Sequence, residues 1–162
     1  MSKLEPIMAE MNGVLEAQLA AMPAGDTATP SDKVGRAILE EMKGRLNQKG
    51  LEELGLSYQT RAVIYGIGVL PAIRMELKNP DAFRAAVARV EAKSGQKLAV
   101  IKTGDVEHWI VDQGEGFFVA GIQGNELVLG LGPAKAKDLY LPVLFGATKP
   151  AATLEGLSLI HI

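Results

Sequence analysis

Leu4, Met8, Met11, Leu15, Leu19 and Met22 follow one another at steps of three and four, which puts them on one stripe of a helix with Ile7 and Val14 beside it. Glu5, Glu10 and Glu16 fall off that stripe, so residues 1–22 are predicted to form an amphipathic helix. Pro23 to Pro30 holds two prolines, a glycine and small polar residues, a composition that favours extended, solvated backbone. Residues 23–30 are therefore expected to be a linker. Ser31 or Asp32 is expected to cap a second helix, in which Val34, Ile38, Met42 and Leu46 recur and which Gly50 ends. Leu51 to Leu54 then give a short turn.

The hydrophobic period changes after Gly55. Thr60 to Gly68 and Val69 to Leu77 are rich in β-branched residues and alternate in their later parts, which predicts two strands and a hairpin turning near Gly68 to Pro71. Asn79-Pro80-Asp81 is a strong helix start: a capping side chain, proline at the first helical position, then an acid at the positive end of the dipole. Phe83, Ala86, Val87 and Val90 are the expected buried face of that helix, which Ser94-Gly95 stops. Four short strands follow, at Leu98–Lys102, Val106–Asp112, Phe117–Ile122 and Glu126–Leu131, separated by turn residues such as Gln123-Gly124-Asn125. Gly132-Pro133 is expected to break the last strand, and Lys135 to Phe145 to form a final helix despite Pro142. The predicted fold is α+β, an antiparallel sheet (a hairpin plus a meander) with amphipathic helices covering one of its faces.

The chain has 162 residues, enough for one domain with a real core, here expected over residues 31–156. Its composition, 48% hydrophobic and 22% charged, excludes a wholly disordered or collagen-like chain. With no cysteine it has no disulfide, thiolate metal site or cysteine nucleophile. A net charge of −2 supplies no long-range field for nucleic acid, and no Lys/Arg run is interleaved with aromatics. The opening Met1 to Pro6 leads into the amphipathic pattern, not into an apolar signal segment, and no run reaches the roughly 18 apolar residues of a membrane span. Taken as it stands, that predicts a cytoplasmic product without a transmembrane segment.

Candidate chemistry is sparse. Gly130-Leu131-Gly132-Pro133-Ala134-Lys135 stands where a nucleotide-binding glycine loop would open a helix, and supports an alternative reading as a nucleotide-binding enzyme fragment. Against it, Lys135 takes the third glycine position, Pro133 removes a backbone donor, and the surroundings read as an antiparallel meander. Gly66-Ile67-Gly68 is followed by a strand or turn and fails more simply. His108, between Glu107 and Trp109 on a predicted strand, lacks the companions of a zinc site or a general base and reads as a polar edge or a satisfied structural histidine. Asp105, Glu107, Asp112 and Glu115 lack calcium-loop spacing. Ser57, Thr60 and Ser94 have no nucleophile-elbow context. No catalytic residue, metal ligand or cofactor follows from these motifs. The methionines say more, since Met1, Met8, Met11 and Met22 all lie in the first predicted helix. Met8, Met11, Leu15, Leu19 and Met22 are the candidate partner-binding residues, because thioethers adapt to irregular apolar surfaces.

Gly50-Leu51-Glu52-Glu53-Leu54-Gly55, Arg74 to Arg84 (Arg-Met-Glu-Leu-Lys-Asn-Pro-Asp-Ala-Phe-Arg) and Val90 to Leu98, together with the Met-rich start, resemble an N-terminal part of larger uncharacterised cell-envelope proteins of gammaproteobacteria, often predicted lipoproteins. That resemblance implies a periplasmic or envelope location and truncation at both ends, and carries no reaction with it. Leu157 to Ile162 resembles the in-frame translation of a transposase end sequence used in preparing DNA-sequencing libraries, which implies that residues 157–162 are an artefact tail. The expected function is a non-enzymatic envelope domain that binds a protein partner, the remainder of its own larger chain, or an apolar ligand.

Overall fold

A computed structural model of the chain describes residues 5–57 and 59–149, so the expected tail at 157–162 and the chain end near Gly156 lie outside the described residues. The elements are α1 (Glu5–Ala21), α2 (Pro30–Met42), α3 (Gln48–Glu53), β1 (Ala62–Ile67), β2 (Leu70–Glu76), α4 (Pro80–Ser94), β3 (Ala99–Thr103), β4 (Val106–Gln113), β5 (Gly116–Gln123), β6 (Glu126–Pro133) and α5 (Lys137–Leu144). The fold is α+β. The strands form one six-stranded sheet in the order β1-β2-β6-β5-β4-β3, antiparallel at every pairing. Helix α4 carries the chain from the hairpin to the far edge, from which the meander returns to close against β2.

Two-residue turns make every hairpin in this sheet. Gly68, Gly104, Gly114 and Gly124 each open their turn at φ of 59–72°, while no non-glycine residue among those described has positive φ. A positive φ at the first central position alone is the II′ pattern, which matches the twist of the flanking strands and needs glycine there. Asn79 caps α4 as expected, its Oδ1 accepting from the N–H groups of Asp81 (3.1 Å) and Ala82 (3.2 Å), and Gly95 ends it in the left-handed region.

Several expected boundaries differ. Thr29, not Ser31 or Asp32, caps α2 in a reciprocal capping box: Asp32 N–H donates to Thr29 Oγ1 (3.2 Å) and Thr29 N–H to Asp32 Oδ2 (2.8 Å). Pro30 thereby becomes the first helical residue, and the expected linker holds a 3₁₀ turn at Gly25–Thr27. Helix α2 stops at Met42, and Gly50 lies inside the separate helix α3, where an added Cβ would overlap the Arg45 backbone. Close approach, not helix termination, is what requires glycine there. Strand β6 continues through Gly132 to Pro133, because β2 pairs with it only as far as Gly130 and Pro133 needs no N–H on that side.

The register sorts the side chains into two faces. Trp109, Ala120, Leu129 and Ile73 stand opposite one another on one face; His108, Gly121, Val128 and Arg74 do so on the other. On the first, α2 and α4 bury Val34, Ala37 and Val90 against Val111, and Phe83 packs with Trp109, Phe118 and Leu129. The expectation that the helices cover one face holds only for α2 and α4, because α5 packs on the other. There Tyr140, Leu141, Leu144 and Phe145 join Ala72, Ile110, Val119 and Val128 in a second core. Two strand glycines make room for them: a Cβ on Gly130 would lie 2.5 Å from Tyr140 Oη, and one on Gly121 would lie 2.7 Å from Phe145 Cε1. Arg74 Nη2 donates to the Leu144 carbonyl (3.0 Å) and Tyr140 Oη to that of Pro71 (2.6 Å), tying α5 to the hairpin.

Candidate functional site

Between the α2/α4 layer and the sheet lies a cavity of about 250 Å³. That is the space of about eight waters at roughly 30 Å³ each. Ile38 and Met42 of α2, Leu54 and Leu56 after α3, Phe83, Ala86 and Val90 of α4, and Trp109, Phe118 and Leu129 of the sheet form its wall. Trp109 is the only tryptophan in the sequence, and its ring centroid is 6.0 Å from that of Phe83. Two other hollows differ in character. An open groove of about 690 Å³ is lined by polar side chains such as Gln48, Glu52, Arg61 and Lys78, and a shallow one of about 430 Å³ runs past Met22, Phe118 and Leu131.

Among the described residues Glu41 is the one charged side chain on the wall of the apolar cavity. It is 3% exposed, yet its carboxylate carries three cations: Arg89 Nε donates to Oε1 (2.6 Å), Lys93 Nζ to Oε2 (2.8 Å), and Arg45 Nη1 stands 3.3 Å from Oε1. Burial opposes ionisation of this carboxyl, but the hydrogen bonds from Lys93 and Arg89 and the neighbouring positive charges outweigh it and hold its pKa below the usual carboxylate range. The cations themselves reach solvent, with side-chain exposures of 25% (Arg45), 39% (Arg89) and 38% (Lys93). Motif reading passed over this cluster, although one signal was present. Glu41 falls three after Ile38 and seven after Val34, a core position of α2, and a carboxylate at such a position must find partners.

His108 is buried to 1% exposure on the opposite face, its ring stacked on Phe145 at 4.4 Å between centroids. Nδ1 lies 3.3 Å from the Val106 carbonyl oxygen and Nε2 has no partner among the described residues. Desolvation lowers its pKa, partly offset by the Val106 carbonyl, so the ring is neutral. The histidine is buried and not a polar edge, and with Nε2 unmet it is not the fully satisfied residue expected either. Tyr140, in the same core, has its pKa raised to about 12, first by burial.

The candidate partner-binding residues divide between two sides of α1. Leu15 and Leu19 are buried, Met8 and Met22 half-buried, and Met11 is exposed together with Ile7 and Val14. Arg36 Nη1 donates to the Leu19 carbonyl (3.3 Å) and Gly44 N–H to Asn12 Oδ1 (3.3 Å), so α1 lies antiparallel along α2. The predicted stripe is thus largely the seam between these helices, and Met11 belongs to the outer row. Gly130 to Pro133 are strand residues whose partners are Val119 to Gly116, so this segment is a ladder and not the phosphate-cradling turn considered from sequence. Asp105, Glu107, Asp112 and Glu115 are exposed and spread along β4 and its turns, and Asp112 pairs with Lys137 at 3.0 Å. Ser94 Oγ donates to the Glu91 carbonyl and accepts from Gln96 N–H, which is a helix-end role.

Among the described residues no group of three or more His, Asp or Glu side chains could hold a metal ion, and no helix is long and apolar enough to cross a membrane. Comparison with protein-family models, curated proteins and solved structures gave no match to this chain.

Proposed function

We propose that this protein is a non-enzymatic binding domain that takes an apolar ligand into the cavity beneath α2 and α4. One observation carries the reading: a hollow of about 250 Å³ walled by Met, Leu, Phe and Trp side chains, in an interior of a kind that is ordinarily close-packed. Each methylene of a ligand that leaves water for such a wall contributes about 0.8 kcal/mol. His108 contributes nothing to this site, since it is sealed beneath α5 on the other face.

Trp109 makes the test direct, because it lines the cavity and is the chain's single tryptophan. Titration with decanol should shift its emission to the blue and saturate at one equivalent. An emission spectrum unmoved by decanol up to its solubility limit refutes the reading. A protein partner is the second reading, favoured by the outer row Ile7, Met11 and Val14, which are 54%, 47% and 53% exposed. Its check is crosslinking from a photoreactive side chain at position 14 in intact cells, where a specific adduct lost when Met11→Glu is added is expected. The envelope placement rests on the sequence resemblance and is checked by fractionating cells that express the whole gene.

A further inference from the structure

The cations around Glu41 exceed what that carboxylate needs. Arg45, Arg89 and Lys93 supply three positive charges, and among the described residues Glu41 and Glu53 supply the two carboxylates that touch them, the latter 3.1 Å from Arg45. One positive charge is left over. Arg89 Nη2, moreover, is buried without a hydrogen-bond partner among the described residues, so the guanidinium is incompletely satisfied where an unmet donor is costly. Glu41 belongs both to the cavity wall and to this cluster, which places the cations just outside the cavity's rim, beside a wall residue and not on the lining itself. Arg89 and Lys93, one helical turn apart on α4, are each more than a third exposed and so can be approached from solvent.

An apolar pocket with cations just outside its rim matches a molecule with an apolar tail and an anionic head. We infer that the ligand is an amphiphile of that kind, an acyl chain ending in a carboxylate or a phosphate, with its chain along Trp109 and its head at Arg89 and Lys93. The inference rests on the cavity reading above and narrows it. Arg suits the head because its planar fork meets carboxylate and phosphate oxygens two at a time, and charge-assisted bonds of this sort are about twice as strong as neutral ones. The cavity limits the tail: about 250 Å³ takes a medium-length chain and not two long ones.

The test uses four probes with the same ten-carbon tail, decanoate, decyl phosphate, decanol and decylamine, titrated against Trp109 emission at pH 8 in the whole chain. Both anions should bind about tenfold tighter than decanol, with decylamine weakest, and the preference should fall to within about twofold in Arg89→Gln. Lys93→Gln is the companion variant, and retained decanol binding in either shows that the cavity is intact. A stronger response to decyl phosphate points to a phosphate-headed lipid, and one to decanoate to a free fatty acid; either supports the inference. Equal binding of all four probes overturns it while leaving the apolar cavity standing. Silence from all four removes the cavity reading, and the inference with it.

Discussion

Replacing Gly130 by alanine tests whether α5 is seated on the sheet as described. The new Cβ would lie 2.5 Å from Tyr140 Oη, 2.7 Å from Tyr140 Cε1 and 2.9 Å from Leu144 Cδ2. Neither neighbour can swing aside freely, since Tyr140 is 2% exposed, Leu144 is fully buried, and Tyr140 Oη donates to the Pro71 carbonyl at 2.6 Å. Overfilling a packed core by one methyl costs ~2 kcal/mol, and displacing the hydroxyl from Pro71 adds ~1 kcal/mol. The expected loss is therefore ~3 kcal/mol, or a fall in Tm of ~6–12 °C for a domain of this size. Thermal unfolding followed by circular dichroism measures it. In a Tyr140→Phe background the nearest clash and the hydrogen bond are both gone, so the same glycine substitution should cost ~1 kcal/mol less. Gly13→Ala is the control: its Cβ would meet nothing within 4 Å, and in the exposed face of α1 it should stabilise by ~0.5–1 kcal/mol. A Gly130→Ala protein within 0.5 kcal/mol of the parent would show that α5 does not occupy this face.

Two further substitutions probe the buried titratable groups. His108→Leu removes the unpartnered Nε2 and should leave stability at pH 8 within ~1 kcal/mol of the parent. Because burial lowers the His108 pKa in the fold, the unfolded chain binds the extra proton first; the parent should lose stability as pH falls below about 6.5, and the variant should not. Denaturant melts from pH 8 to pH 5 distinguish the two, and parallel curves would refute the assignment. Glu41→Gln should cost ~2 kcal/mol at pH 7, less than a fully buried ion pair because the cations are 25–39% exposed and can rehydrate. The Glu41 pKa is lowered in the fold, so the parent's advantage is complete above the unfolded carboxyl pKa near 4.3 and fades as pH falls below it. A constant difference down to pH 3 would contradict this.

How legible each feature was depends on the distance over which it is decided. The Asn79 cap, the Gly95 stop and the Gly-led hairpin turns act within four residues of chain, and all were readable. The antiparallel sense of the four hairpin pairs followed from those turns, whereas the β2–β6 pairing, which no turn joins, did not. The expected length of α2 failed because every-four spacing through Leu46 continues past a real break; Leu46 is buried, but from the loop after Gly44 and not from a continuing helix. Pro133 misled in the opposite sense, since a proline breaks a strand only where its missing N–H is needed. Met8 and Met11 lie on α1, with Met22 just past its end, but periodicity cannot say whether a stripe meets another helix or faces outward. Leu15 and Met11 end on different sides of that question.

The cavity lay further from view. Its wall combines α2, α4 and four strands, and Glu41 meets Arg89 and Lys93 across 48 and 52 residues of sequence. No local window contains both partners. Turn chemistry, caps and hydrophobic period are properties of a few consecutive residues, so the amino-acid order alone determines the elements and the antiparallel sense of the hairpins. Which face α5 covers, where two layers fail to meet, and which buried carboxylate gathers cations depend on volumes and charges brought together by packing. Those were decided only when the chain closed on itself.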